Sequence, residues 1–226
     1  STLMRSSAAS DVYKRQDLNI NTTPDGKQCV TWEADDMLPY DLLDLIEKDE
    51  TLSTCQIFNA EVCYGSGLRY CTKTASPTVK AEVDAFLLDN PMPDYFLGVC
   101  QDFKHYNFAV SVIILNADGT KIVELHRKPA CYCRFCPADE KTGRISKILF
   151  APFRSLSNTD TVEEIELLDP RSPWKDLQQR MAIRATRDNA AGQNRTATRK
   201  FAILSRFPGV DSMYYPIPHL SLIHIS

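Results

Sequence analysis

At Asn107 the hydrophobic period of the chain changes. Before it, apolar residues recur every three to four positions; after it, "NFAVSVIIL" (107–115) is a near-continuous run of β-branched and other apolar side chains. A run of this kind bounded by turn residues is a buried strand, whereas the earlier spacing is that of amphipathic helices. The chain therefore reads as helices first and strands after. That order predicts an α+β layer rather than a doubly wound sheet.

Helix starts are marked by proline and by capping pairs. Pro39 opens one helix with Leu42, Leu43 and Ile46 on its apolar side, since a first-turn proline loses no hydrogen bond. Ser53 and Gln56 have the spacing of a capping box, which predicts a second helix starting there. Its stripe is Cys55, Phe58 and Val62, widened by Ile57 and Tyr64, and Gly65 falls where it stops. Ser76-Pro77 begins a third helix carrying Val79, Val83, Phe86 and Leu87. Pro93 begins a fourth, with Tyr95, Phe96, Val99, Cys100 and Phe103 on one side.

Beyond 107–115, "NADG" (116–119) is a turn with Gly119 in a suitable place, and "TKIVELHRK" (120–128) is the returning strand. "CYCRFC" (131–136), "RISKILF" (144–150) and "VEEIELL" (162–168) extend the series into an antiparallel meander. Ser172-Pro173 starts a helix bearing Trp174, Leu177 and Met181, and "FAILSRF" (201–207) is one more strand.

Several segments invite a chemical reading. "GSG" at 65–67 lacks the third glycine of a dinucleotide loop and the Lys-Ser/Thr of a phosphate loop, and it follows a helix. A helix ended by Gly65 in the left-handed conformation explains it more simply. Cys131, Cys133 and Cys136, with His126 nearby, are the metal candidates. Structural zinc takes four ligands, usually from two paired elements, and no second pair is present. As a strand, the segment puts Cys131 and Cys133 on one face and Cys136 on the other, which favours small thiols within a sheet. A Cys/His nucleophilic site lacks an orienting motif. Asp35-Asp36, with Asp41 and Asp44, is a divalent-ion candidate. Acidic residues before a helix more simply complement its dipole. Asn194-Arg195-Thr196 matches a glycosylation sequon in a chain with no secretory segment. No catalytic residue, cofactor loop or metal set emerges.

Composition adds two constraints. With 43% hydrophobic and 24% charged residues the chain is globular, and no stretch has the apolar length of a membrane span. The eight cysteines read as reduced thiols, not a disulfide framework. Net charge is only −3, yet residues 17–56 hold ten Asp or Glu against Lys27 and Lys48. Residues 180–200 hold Arg180, Arg184, Arg187, Arg195, Arg199 and Lys200 against Asp188. Such a separation is most simply two solvated faces; the sharper reading is complementary surfaces, between copies of the chain or toward nucleic acid. No aromatic residue interrupts the basic tract to stack on single-stranded bases.

The two ends, "STLMRSSAASDVYKRQ" (1–16) and "SLIHIS" (221–226), resemble translated sequencing-adapter read-through and are left out of the fold reading. The remaining chain divides into 17–170, helices and meander, and 171–220, a helix, a basic polar stretch and a strand.

Four stretches of that remainder resemble one family. They are "LPYDLLDLIEKDETLSTCQIFNAEVCYGSGL", "DYFLGVCQDFKHYNFAVSVIILNADGTKIVELHRK", "IELLDPRSPW" and "FAILSRFPGVDSMYYPIPHL". The chain resembles the N-terminal half of a tailed-bacteriophage portal protein, of the kind encoded by phages of Bacteroidetes. The resemblance covers most of 36–220 and implies wing-region material that ends before the stem and clip. It implies a structural, non-enzymatic subunit of the head-to-tail connector in the virion, assembled in the host cytoplasm as a ring of about twelve copies. Its partners would be further copies of itself, the packaging motor (terminase), capsid and tail-adaptor proteins, and double-stranded DNA passing through the complete ring, with no membrane. Gly65, Gly119, Tyr214, Tyr215, Pro216 and Pro218 are the structural residues of that pattern. The acidic 17–56 region of one copy is then expected to face the basic 180–200 region of the next. The alternative is a nucleic-acid- or zinc-binding module using Cys131, Cys133, Cys136 and the basic tract.

Overall fold

The structure, a computed structural model, describes residues 19–71, 76–116, 119–140, 142–157, 159–191, 200–207 and 214–218; side chains are described only outside 183–191. Both adapter-like ends lie outside these residues, as does the sequon at 194–196. The fold is α+β. A short hairpin, β1 (Ile20–Thr22) and β2 (Gln28–Val30), precedes α1 (Leu38–Lys48), α2 (Glu50–Tyr64), α3 (Pro77–Asp89) and α4 (Met92–Tyr106). Strands β3 (Phe108–Leu115), β4 (Ile122–Lys128), β5 (Cys133–Phe135), β6 (Lys147–Phe150) and β7 (Glu163–Leu167) follow, then α5 (Pro173–Ala191) and β8 (Lys200–Arg206).

The six-stranded sheet runs β4-β3-β8-β7-β6-β5. It is not the single antiparallel meander expected from the strand order. β8 inserts between β3 and β7, antiparallel to the first and parallel to the second. The parallel pair requires a crossover, and α5 supplies it. β8 is covered on both sides: Ala202 and Leu204 face one core with Phe108, Val110 and Val112, while Phe201 faces another with Ile113, Leu115 and Leu177 of α5. That two-sided burial explains why β3 and β8 read as continuous apolar runs. The sheet also curls, bringing Lys128 of edge strand β4 to Glu163 of β7 at 2.7 Å and over the Phe150 ring of β6 at 4.0 Å.

The larger core joins the sheet to the N-terminal elements. Trp32, Tyr40, Leu42 and Ile46 pack with Tyr106, Phe108 and Phe135, so Leu42 and Ile46 of α1 point inward as their spacing predicts. The far end of the chain closes this core. Tyr215 stacks on Trp32 with ring centroids 4.7 Å apart, and its hydroxyl donates to the Val30 carbonyl at 2.8 Å.

Both sheet edges are occupied by side chains. At β4, the buried Asn90 accepts from Leu125 N–H at 3.0 Å and donates to the Val123 carbonyl at 3.3 Å, as a neighbouring strand would. At β5, Tyr215 accepts from Phe135 N–H and Tyr214 from Ala138 N–H. Such plugs fill the outward backbone groups that otherwise recruit a foreign strand.

α4 crosses the sheet face that carries Ser111 and Arg127. Its Tyr95 hydroxyl bonds Ser111, and Asp102 pairs with Arg127 Nε at 2.9 Å. Arg127 can lie across α4 only because residue 98 is glycine: a Cβ there would sit 2.3 Å from the guanidinium and 2.7 Å from Arg127 Cδ. Gly98→Ala is therefore expected to push Arg127 off Asp102 and lower stability by about 1–3 kcal/mol, read as a shift of the urea midpoint. A midpoint within error of wild type would show that the guanidinium finds a second seat.

Candidate functional site

The "CYCRFC" segment is built around its arginine, not its cysteines. Residues 130–132 form a single 3-10 turn and only Cys133–Phe135 are strand. Cys131 and Cys133 still join the larger core, while Cys136 packs beside Cys29, Leu149 and Ala151 on the other side. Burial raises the thiols of Cys131 and Cys136 to about 11, and that of Cys133 well above its ordinary value. All eight cysteines are free thiols. His126, the fourth candidate ligand, is an exposed residue of β4 bonded to Glu124 at 2.7 Å. Among the described residues no group of three or more His, Cys, Asp or Glu is arranged to hold a metal ion.

Arg134, between the cysteines, is fully buried. Its Nε meets both Asp36 carboxylate oxygens at 2.7 and 2.8 Å. One terminal nitrogen donates to the Cys131 and Cys133 carbonyls, and the other to the Asp36 carbonyl. The Phe153 ring lies 4.7 Å from the guanidinium carbon, with Tyr40 and Trp32 near 6 Å. Asp36 reaches this position through a tight loop in which Glu33 and Asp36 both adopt positive φ, at 66° and 61°, and its carboxylate also accepts from Trp32 N–H. The node thus fastens the N-terminal hairpin, α1 and β5 together.

The other acidic candidates are similarly engaged within the subunit. Asp35 accepts from Met37 N–H, and Asp44 forms a two-pronged pair with Arg154 at 2.9 and 3.0 Å. Asp41 sits in the first turn of α1, where it complements the helix dipole.

Of the basic tract, Arg180 and Lys200 have described side chains. Arg180 meets Asp176, Glu166 and the Leu167 carbonyl, each at 3.0 Å, and Lys200 meets Glu163 at 2.9 Å. Arg184 and Arg187 lie on α5 with side chains outside the described set, and Arg195 and Arg199 lie outside the described residues.

Gly65 ends α2 with φ at 55° and its N–H on the Glu61 carbonyl, although its ψ of −123° is not that of a left-handed helical residue. Gly119, φ 67°, makes the β3–β4 turn by donating to the Asn116 carbonyl. Tyr214, Pro216 and Pro218 are buried beside Tyr215.

The sequence reading placed the start of α2 wrongly and left the direction of its apolar side open. The helix starts earlier than the Ser53/Gln56 pair implies, because Asp49 caps it by accepting from Thr51 and Leu52 N–H. Its one buried residue is Ala60. The stripe faces outward: Phe58 is 63% and Val62 61% exposed, and Cys55 is exposed with them. α3 buries no residue at all, and Leu88 near its end is 86% exposed. α2 is held to the body chiefly along α4, where Tyr64 meets Phe96 with centroids 5.6 Å apart. The outer side of α2 thus carries large apolar side chains, and it is the candidate site. Among the described residues no helix is long and apolar enough to cross a membrane. No family model matches the chain, and no curated protein matches it significantly.

Proposed function

We propose that this chain is wing-region material of a tailed-phage portal: a structural subunit that works through contact with other protein subunits. Its place is a ring of about twelve copies at one capsid vertex of the virion. The ring passes double-stranded DNA, docks the packaging motor and later joins the tail. The observation that carries this reading is the outward apolar side of α2. A helix of a self-sufficient domain turns its apolar stripe inward; one that turns it outward is completed by another surface. α2 belongs to an α+β fold whose sheet edges are plugged and whose "YYPIP" segment is folded back into the core, so association falls to the helices.

The opposed acidic and basic regions contribute less than their charge count suggests. Asp36, Asp44, Arg180 and Lys200 are already paired inside the subunit. Electron microscopy of the full-length gene product, combined with native mass spectrometry, tests the reading. Closed rings of about twelve subunits are expected. A monomer, or an open filament, overturns it.

A further inference from the structure

The N-terminal hairpin and the β5 edge of the sheet meet at a pair of thiols. Tyr215 Oη donates to the Val30 carbonyl of β2 and accepts from Phe135 N–H of β5, so the two strands lie side by side with one hydroxyl between them. Val30 and Phe135 face the larger core, whereas their neighbours Cys29 and Cys136 both turn to the smaller cluster of Leu149, Ala151 and Val162. Lys27, two residues before Cys29, reaches the Val162 carbonyl of that cluster at 2.5 Å and acts electrostatically on the Cys136 thiol. The start of β2 therefore lies beside the residues that follow β5. The two segments run antiparallel, and Cys29 stands opposite Cys136.

Opposed residues of neighbouring antiparallel strands are spaced about as a disulfide requires. The Tyr215 hydroxyl holds these strands wider than a direct ladder, so a bridge draws them together across it. Both thiols are free. Cys29 is 2% exposed, while Cys136 is half-buried and open to a small reagent. Burial raises both to about 11, and Cys136 is itself one of the groups that raise Cys29. Both are thus protonated and slow to react at neutral pH. The pair has the layout of an attacking thiol at the surface with a resolving thiol behind it.

We infer that Cys29 and Cys136 form a redox-sensitive latch, closed as a disulfide by a small disulfide oxidant. The Cys136 thiolate attacks one sulfur of oxidised glutathione and expels a glutathione thiolate, which takes up the proton that Cys136 released. The Cys29 thiolate then attacks the Cys136 sulfur of the mixed disulfide and expels the second glutathione, which takes up the proton from Cys29. Two protein thiols are oxidised and one glutathione disulfide is reduced. The bridge makes covalent a junction otherwise held by Tyr215 and by the Arg134–Asp36 pair. The latch does not depend on the assembly reading above.

Incubating the full-length protein with oxidised glutathione, then digesting it without reduction for peptide mapping by mass spectrometry, tests the latch. A peptide joining Cys29 to Cys136 is expected, together with a rise in the urea midpoint, because the bridge closes a long loop in the unfolded chain. Cys136→Ser, at a half-buried position, should keep the wild-type melting temperature and lose both the joined peptide and the rise. Cys29→Ser should stop at the mixed disulfide, with glutathione retained on Cys136. Glutathione retained on Cys136 of wild type, or both thiols left unmodified, overturns the latch, since the two sulfurs then do not meet. A bridge from Cys63 to Cys100 formed while Cys29 stays reduced overturns it too, as does a Cys29–Cys136 bridge that appears only in urea.

Discussion

Replacing Arg134 by alanine is expected to remove about 3–5 kcal/mol of folding stability, a substantial share of the about 5–15 kcal/mol a domain has in hand. The guanidinium has no access to solvent. Burial disfavours its charged form, yet Asp36 holds its pKa above the ordinary arginine value. Removing it leaves the Asp36 carboxylate without its cation and the Cys131 and Cys133 carbonyls without this donor. It also opens a cavity between Trp32, Tyr40 and Phe153. Lysine is expected to do nearly as badly, since a single ammonium cannot reproduce a fork that serves a carboxylate and three carbonyls in different directions. Arg134→Leu combined with Asp36→Ala should recover part of the loss, because the pair then leaves together. Urea unfolding of the four proteins reads this directly. A loss below about 1 kcal/mol for Arg134→Ala would mean that the pair is worth no more than a surface salt bridge.

Arg134 also shows what a single sequence hides. Alternation in "CYCRFC" puts Cys133 and Phe135 on one side of the strand and residue 134 on the other. Nothing local says that both sides are buried. That follows from the loop carrying Trp32 and Asp36, almost a hundred residues earlier in the chain. The cysteines attracted the metal reading through their type, whereas the residue with the strongest fixed partners was the arginine between them. A lone basic residue inside an otherwise apolar strand was the available signal.

The helices divide in the same way. α1 and α4 were legible because stripe and proline agree; the α1 stripe meets the core, whereas α4 sends Tyr106 into it and, of its expected stripe, fully buries only Cys100. In α2 the stripe was legible and its direction was not. Periodicity reports that one side of a helix is apolar, but which body covers that side is tertiary information. The cap was misplaced because Asp49 and Ser53 both have capping chemistry, and only the former's carboxylate reaches the orphan N–H groups. β8 was visible as a strand, but its insertion between β3 and β7 depends on pairings some ninety residues apart. β1 and β2, three residues each, are too short for any period; the Asp25-Gly26 turn between them, with Gly26 at φ 82°, was their only mark.

Substituting Asp102 by asparagine is expected to change how stability depends on pH more than it changes stability at any one pH. Asp102 is buried on α4, and burial lifts its carboxyl to about 7 from an ordinary 3.8, against the pull of Arg127. Between those values the native state holds a proton that the unfolded chain has released. Stability from this group is full below pH 4 and falls as pH rises to about 7, by about 1.4 kcal/mol per unit. His105, one turn further along α4, does the opposite. Burial and the nearby Arg127 lower it from 6.5 to about 4, so the unfolded chain holds the extra proton and stability rises with pH across that window. In wild type the two slopes oppose each other between pH 4 and 6.5. Asp102→Asn leaves His105 unopposed. Relative to wild type the variant should therefore gain on the order of 3–4 kcal/mol from pH 4 to 7. The gain is measured as the difference between two urea-derived stability curves, in which the other carboxylates cancel. If wild type gained on the variant instead, Asp102 would be ionised throughout, with the Arg127 ion pair outweighing its burial. The α4–β4 contact would then be a simple salt bridge rather than a proton-holding one.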